Sequence, residues 1–227
     1  MSDFFRIAWL VVRKDLAVEA RSWELVSTTV FFAVSCVLVF AFALVEDGRA
    51  VGNVAAGILW VAIAFSGTLA LGRTFERERQ TDTLRALMLA PADRPALYVG
   101  KLLGILVLMA VTEAVLVPLV GLFFQAPVGD RPLLLAALLI AGTIGYAAVG
   151  TLFAAMLVRA RSRDVMLPIL LYPITVPVII AGVRGTAALF QETPNDGLAQ
   201  FWLAMLLFFD VVFVTLALWT FEPLMTE

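Results

Sequence analysis

Apolar residues dominate this chain in long unbroken runs, and the runs set its architecture. They cover roughly residues 25–45, 51–72, 98–124, 133–157, 165–185 and 199–221. Each is long enough to cross a hydrocarbon layer of ~30 Å as a helix of ~20 residues. A membrane barrel would instead show short segments of alternating polarity. Six transmembrane helices are expected, in an all-α integral membrane protein forming one domain over residues 1–227.

The polar interruptions are equally informative. Residues 3–23 carry too many charges to span, yet Phe5, Trp9, Val12, Leu16 and Trp23 share one stripe of a helical wheel, away from Arg6, Lys14 and Arg21. That pattern predicts an amphipathic helix in the lipid interface, tryptophans at headgroup level. A plain orientation-setting leader is the alternative. No cleavable signal peptide is expected, because charges including Arg13, Lys14 and Asp15 recur throughout this segment.

The longest charged stretch is residues 73–97, RTFERERQTDTLRALMLAPADRPAL; six of the sixteen basic residues fall between Arg73 and Lys101. The second span is expected to continue as helix through Glu76, Glu78 and Arg79. Thr81 or Thr83 can then cap a short helix that Pro91 must end. Within it Leu84, Leu87 and Met88 follow i, i+3, i+4 spacing, with Arg77, Arg79 and Arg85 around them. A short apolar face flanked by charge suits insertion into a partner's groove, with Thr83, Leu84, Arg85, Leu87 and Met88 as the docking residues. The competing reading is a solvated loop whose leucines pack back on the bundle.

Two further features interrupt the spans. Glu113 and Asp210 are ionisable groups inside apolar runs; each costs roughly 2.5–3.5 kcal/mol if charged at mid-helix, so both should face protein. They fit either a proton relay or substrate contact, or hydrogen-bonded helix packing. Pro168, Pro173 and Pro177 all fall in the fifth run, which should be bent or locally unwound. Small residues Gly57, Ser66, Gly67 and Gly72 in the second run, and Ala137, Ala141 and Gly145 in the fourth, predict close helix packing. Residues 184–200 are more polar and could form a short helix dipping into the outer interface.

Charge distribution sets the orientation. Six spans put the termini, the 73–97 loop and the RARSRD loop (159–164) on one side, with thirteen basic residues against three. The positive-inside rule then places both termini in the cytoplasm. RARSRD reads as a topology anchor. The net charge of −2 adds nothing, and no nucleic-acid partner is expected. Mean hydropathy of +0.99 excludes an ordinary soluble domain.

Candidate chemistry is sparse. The chain has no histidine and one cysteine, Cys36, inside the first span. Zinc sites, His-based triads and histidine haem ligation have no residues to use, so no catalytic, cofactor-binding or metal residue is assigned. The phosphate-cradling G-x-x-x-x-G-K-[ST] is missing; its nearest fragment, Gly100-Lys101, runs into leucine and opens a span. Any ATP hydrolysis must come from another chain.

ERERQTDTLRALMLAP, followed by Gly100-Lys101, resembles the cytoplasmic loop of ABC-2-type exporter permeases, with Asp82 where that pattern often has glycine. GILWVA (57–62), LGRTF (71–75), LMLAP (87–91) and LPILLYPITVPVII (167–180) are similar, in order and spacing, to the cytochrome c maturation protein B family. That resemblance implies a permease subunit in the bacterial inner membrane, joined to an ABC ATPase subunit, a haem-handling membrane subunit and a small membrane subunit. It implies haem delivery to apocytochromes, with ATP energy spent on releasing a haem-loaded periplasmic chaperone. In that view ATP and haem are held by partners, and the loop helix is a coupling helix. Two alternatives stay open: an ABC-2 exporter of a lipid, polysaccharide or drug, and an ATP-independent carrier or purely structural subunit.

Overall fold

A computed structural model describes residues 2–46, 49–50, 54–75, 94–158, 160 and 162–224. The described residues are helical almost throughout: α1 (Ser2–Ser22), α2 (Glu24–Leu44), α3 (Val54–Arg73), α4 (Arg94–Phe124), α5 (Pro132–Met156), α6 (Arg163–Leu189) and α7 (Asp196–Leu224). All but α1 are long and apolar enough to cross a membrane, in the order expected. Between α2 and α3 lies a two-residue antiparallel ladder, pairing Val45 with Ala50 and Glu46 with Arg49.

The helices are not equivalent. Two-thirds of the spanning window is buried in α3 and in α5, against 17% in α7 and 22% in α2. So α3 and α5 form the centre, and the others line them while turning apolar faces outward. Small residues set the close approaches. Trp60 of α3 lies against Gly142 of α5 and Gly182 of α6, where a Cβ would collide with its ring. Of the expected α5 seam, Gly145 faces Phe209 and Asp210 of α7. Without a hydrophobic drive between helices in lipid, such contacts carry the packing.

Helix ends follow local chemistry. Trp23, at a left-handed φ of 52°, separates α1 from α2. The Glu19 carboxylate then accepts the Val26 N–H at 2.8 Å, capping α2. Gln125, also at φ 52°, closes α4 in the same left-handed way. Pro132 opens α5 where no N–H is needed, and Arg131 pairs with Asp196 at 2.9 Å, holding the starts of α5 and α7 together.

Three expectations meet the structure differently. First, α6 is helical through Pro168, Pro173 and Pro177, so of the expected bend or local unwinding the unwinding is absent. Neighbouring helices supply the packing that keeps a proline-bearing membrane helix intact. Second, residues 184–200 form no separate helix. They divide between the end of α6 and the start of α7, because Asn195 donates to the Ala188 carbonyl at 2.9 Å and its Oδ1 accepts the Leu198 N–H at 3.0 Å. Third, α3 ends at Arg73, where Gly72 weakens the last turn and Thr74 closes it with a bond to the Leu71 carbonyl at 3.2 Å; Glu76, Glu78 and Arg79, over which helix was expected to continue, lie outside the described residues.

The N-terminal helix also differs in detail. It docks on α4 through Ala8 and Val11, which contact Gly100 so closely that a Cβ there would meet Val11 at 2.7 Å. Val12 is buried, but Phe5 and Trp9 from the same wheel stripe are 65% and 63% exposed. The stripe therefore straddles the edge of the contact. Its inner rim packs on protein and its outer rim faces away.

Candidate functional site

Thr83, Leu84, Arg85, Leu87 and Met88 lie outside the described residues. What the structure does describe is the root from which that stretch departs, and it is a dense polar cluster. A helix C-terminus leaves carbonyls without intrahelical partners and carries partial negative charge, which favours cations. At the end of α3 two buried cations meet this need. Lys101 of α4 donates to the Thr74 carbonyl at 3.1 Å, and Arg163 of α6 donates to the Gly72 carbonyl.

Both residues are almost fully buried, at 6% exposure each. Arg163 is the first residue of α6, where that helix's own dipole disfavours a cation. Its guanidinium is placed instead on the opposite pole of a neighbouring helix. Lys101 carries a second partner: its Nζ lies 2.9 Å from Asp15 Oδ2 of α1, and the same ammonium sits 5.3 Å over the Phe75 ring. At the rim, Arg73 reaches Glu24 of α2 at 3.5 Å. Residues of α1, α2, α4 and α6 thus all converge on the last turn of α3.

Neither buried cation is visible as such in the sequence. Lys101 looks like a failed phosphate-loop fragment and Arg163 like one more charge in a topology anchor; the structure corrects that reading for Arg163, which is built into the bundle. The available signal was an isolated lysine seven positions into an apolar helix. A cation so placed requires a buried partner.

The two intramembrane acids are also inside the protein. Glu113 of α4 accepts a hydrogen bond from Thr143 of α5. Asp210 of α7 packs against Gly145, and its Oδ1 has no hydrogen-bond partner among the described residues. They reach α5 from different helices, at Thr143 and Gly145, positions two apart and so on opposite sides of that helix. No expected feature marks a third polar group. Thr68 Oγ1 of α3 lies 2.6 Å from Tyr146 Oη of α5 and 3.1 Å from Tyr172 Oη of α6, and Tyr146 donates to the Ala64 carbonyl at 2.7 Å. This hydroxyl cluster ties three spans one to two turns before the root. A single sequence gives no periodicity linking three residues so far apart. Among the described residues no group of His, Cys, Asp or Glu could hold a metal ion.

The family model described as CcmB protein matches residues 6–223. Curated relatives bear the name heme exporter protein B. One from Pseudomonas aeruginosa is 28% identical over 206 residues, covering 91% of this chain and 90% of the relative. Another, from Paracoccus denitrificans, is 32% identical over 180 residues, with 78% and 82% covered. The Escherichia coli K12 relative is 28% identical over 190 residues, with 83% and 86% covered.

Proposed function

The chain belongs to the CcmB protein family, and from that membership we propose that it is the membrane permease subunit of an ABC-transporter-type complex in cytochrome c maturation. It takes mechanical work from a separate ATPase subunit and couples it to haem delivery or to release of a haem-loaded periplasmic chaperone. The relatives' name, heme exporter protein B, supports the haem pathway over export of a lipid, polysaccharide or drug. In this reading the whole chain is one permease domain in the bacterial inner membrane. Its partners are the ATPase, a haem-handling membrane subunit, a small membrane subunit and the periplasmic chaperone.

The observation that carries the coupling role is the root of the 76–93 stretch. Lys101 and Arg163, from two different spans, hold the last carbonyls of α3 just before the chain enters its most charged segment. A joint built that way suits a segment that receives force. The chain itself has no phosphate loop and no histidine, so ATP and haem are assigned to partners and this subunit to no catalysis. Thirteen basic residues against three support both termini in the cytoplasm, on the ATPase side.

Charge insertion on the apolar face tests the docking assignment. Leu84→Glu and Leu87→Glu are expected to leave membrane insertion intact, weaken association with the ATPase and abolish cytochrome c assembly. Normal ATPase association in both variants would remove the docking helix from this position.

A further inference from the structure

We propose that Lys101 is a positioning residue for energy coupling, a buried cationic latch that makes the N-terminal helix and the end of α3 move as one body. The inference rests on the coupling role proposed above and assigns a specific part of it. Its ground is the geometry of a single ammonium group. Lys101 Nζ reaches Asp15 Oδ2 of α1 at 2.9 Å, the Thr74 carbonyl in the turn after α3 at 3.1 Å and the Phe75 ring of the same turn at 5.3 Å. Three elements far apart in the chain are therefore joined at one charge.

Two features separate this from ordinary surface pairing. The lysine side chain is 7% exposed and its Asp15 partner 27%, so water screens the contact less than it does an exposed ion pair. It also directly follows Gly100, where Ala8 and Val11 of α1 pack closely on α4. Thr74 and Phe75 are the last described residues before the 76–93 stretch. Motion entering there acts on Lys101 first, and through Asp15 on α1, whose outer face carries exposed Phe5, Trp9 and Leu10.

A latch and a mere packing residue differ in what their loss changes. The complex is purified in mild detergent with the chain and its ATPase, and three quantities are read: ATPase co-purified per chain, thermal unfolding midpoint, and cytochrome c matured per ATP hydrolysed. Lys101→Met is expected to retain ATPase within twofold of wild type while the yield per ATP falls at least fivefold. Lys101→Arg recovers half or more of that yield. Asp15→Asn lowers it in the same direction, and Asp15→Asn with Lys101→Met is no worse than Lys101→Met alone, because the buried Lys101–Asp15 contact carries the effect; the other pair of Asp15, to Lys14 at 3.1 Å, is half-exposed and contributes little. Wild-type yield per ATP in Lys101→Met overturns the proposal, as does multiplication of the Asp15→Asn and Lys101→Met losses. If Lys101→Met proves unstable, Asp15→Asn and Lys101→Arg decide: wild-type yield in Asp15→Asn, or an arginine variant as poor as the methionine one despite wild-type stability, overturns it. A wild-type chain that brings down no ATPase overturns the coupling role itself, and this latch with it.

Discussion

Trp60 reaches from α3 into a slot that exists because α5 and α6 each present a glycine, and its indole N–H donates to Thr186 Oγ1 at 3.0 Å. Adding one methyl at Gly142 or Gly182 forces the indole out of that slot. Overpacking a tight core typically costs about 1–3 kcal/mol, so Gly142→Ala or Gly182→Ala should lower the unfolding midpoint in detergent visibly. Gly57→Ala, with open space at its Cβ, should not. A second residue-scale prediction concerns Glu113. Its bond from Thr143 joins α4 to α5, and interhelical bonds of this kind average about 0.6 kcal/mol, at most about 1.7. Thr143→Ala and Glu113→Leu should therefore each destabilise the bundle by about 1 kcal/mol in unfolding assays. Glu113→Gln, which keeps an acceptor, should be near neutral. At this scale the sequence was a partial guide. Two acids in apolar runs announced burial by their cost, but Lys101, Arg163 and the Thr68–Tyr146–Tyr172 cluster owe their meaning to helix ends and neighbours that only assembly brings together.

Among the elements, the six spans were legible because lipid allows little else: an uncharged run of this length must satisfy its backbone internally. Boundaries were less so. The expected helix in residues 184–200 lost to a side-chain cap at Asn195, and the end of α3 at Arg73 is set by Gly72 and by cations at the turn. The N-terminal helix was legible as amphipathic, but its wheel stripe did not reveal that Ala8 and Val11, not Trp9, meet α4. Docking of α1 has a direct check. A Cβ on Gly104 lies 4.0 Å from the Asp15 Cβ, within the 3.5–4.5 Å span of a disulfide. With Cys36→Ala, the pair Asp15→Cys and Gly104→Cys should cross-link under mild oxidation; failure to cross-link would argue against this packing. The outer face gives another test. Trp9 is expected at the lipid interface, so its fluorescence should be quenched by lipids brominated near the headgroup more than by lipids brominated near the chain end. The opposite order would place α1 elsewhere.

For the molecule as a whole, a central pair of helices, α3 and α5, is surrounded by spans that expose apolar faces, and polar contacts concentrate at one end of α3. That end opens onto residues 76–93, whose charge and leucine spacing first marked them as a docking segment. Lys101 and Arg163 hold the turn at the end of α3 that leads into that segment. The proposed coupling requires work from another chain, since this one carries no phosphate loop. Affinity purification of the tagged chain from native membranes in mild detergent, with every co-purifying protein identified, tests this. The expected result is an ABC-type ATPase together with a haem-handling membrane subunit, and ATP hydrolysis that disappears when the ATPase is removed. A chain recovered from intact membranes without any ATPase would contradict it.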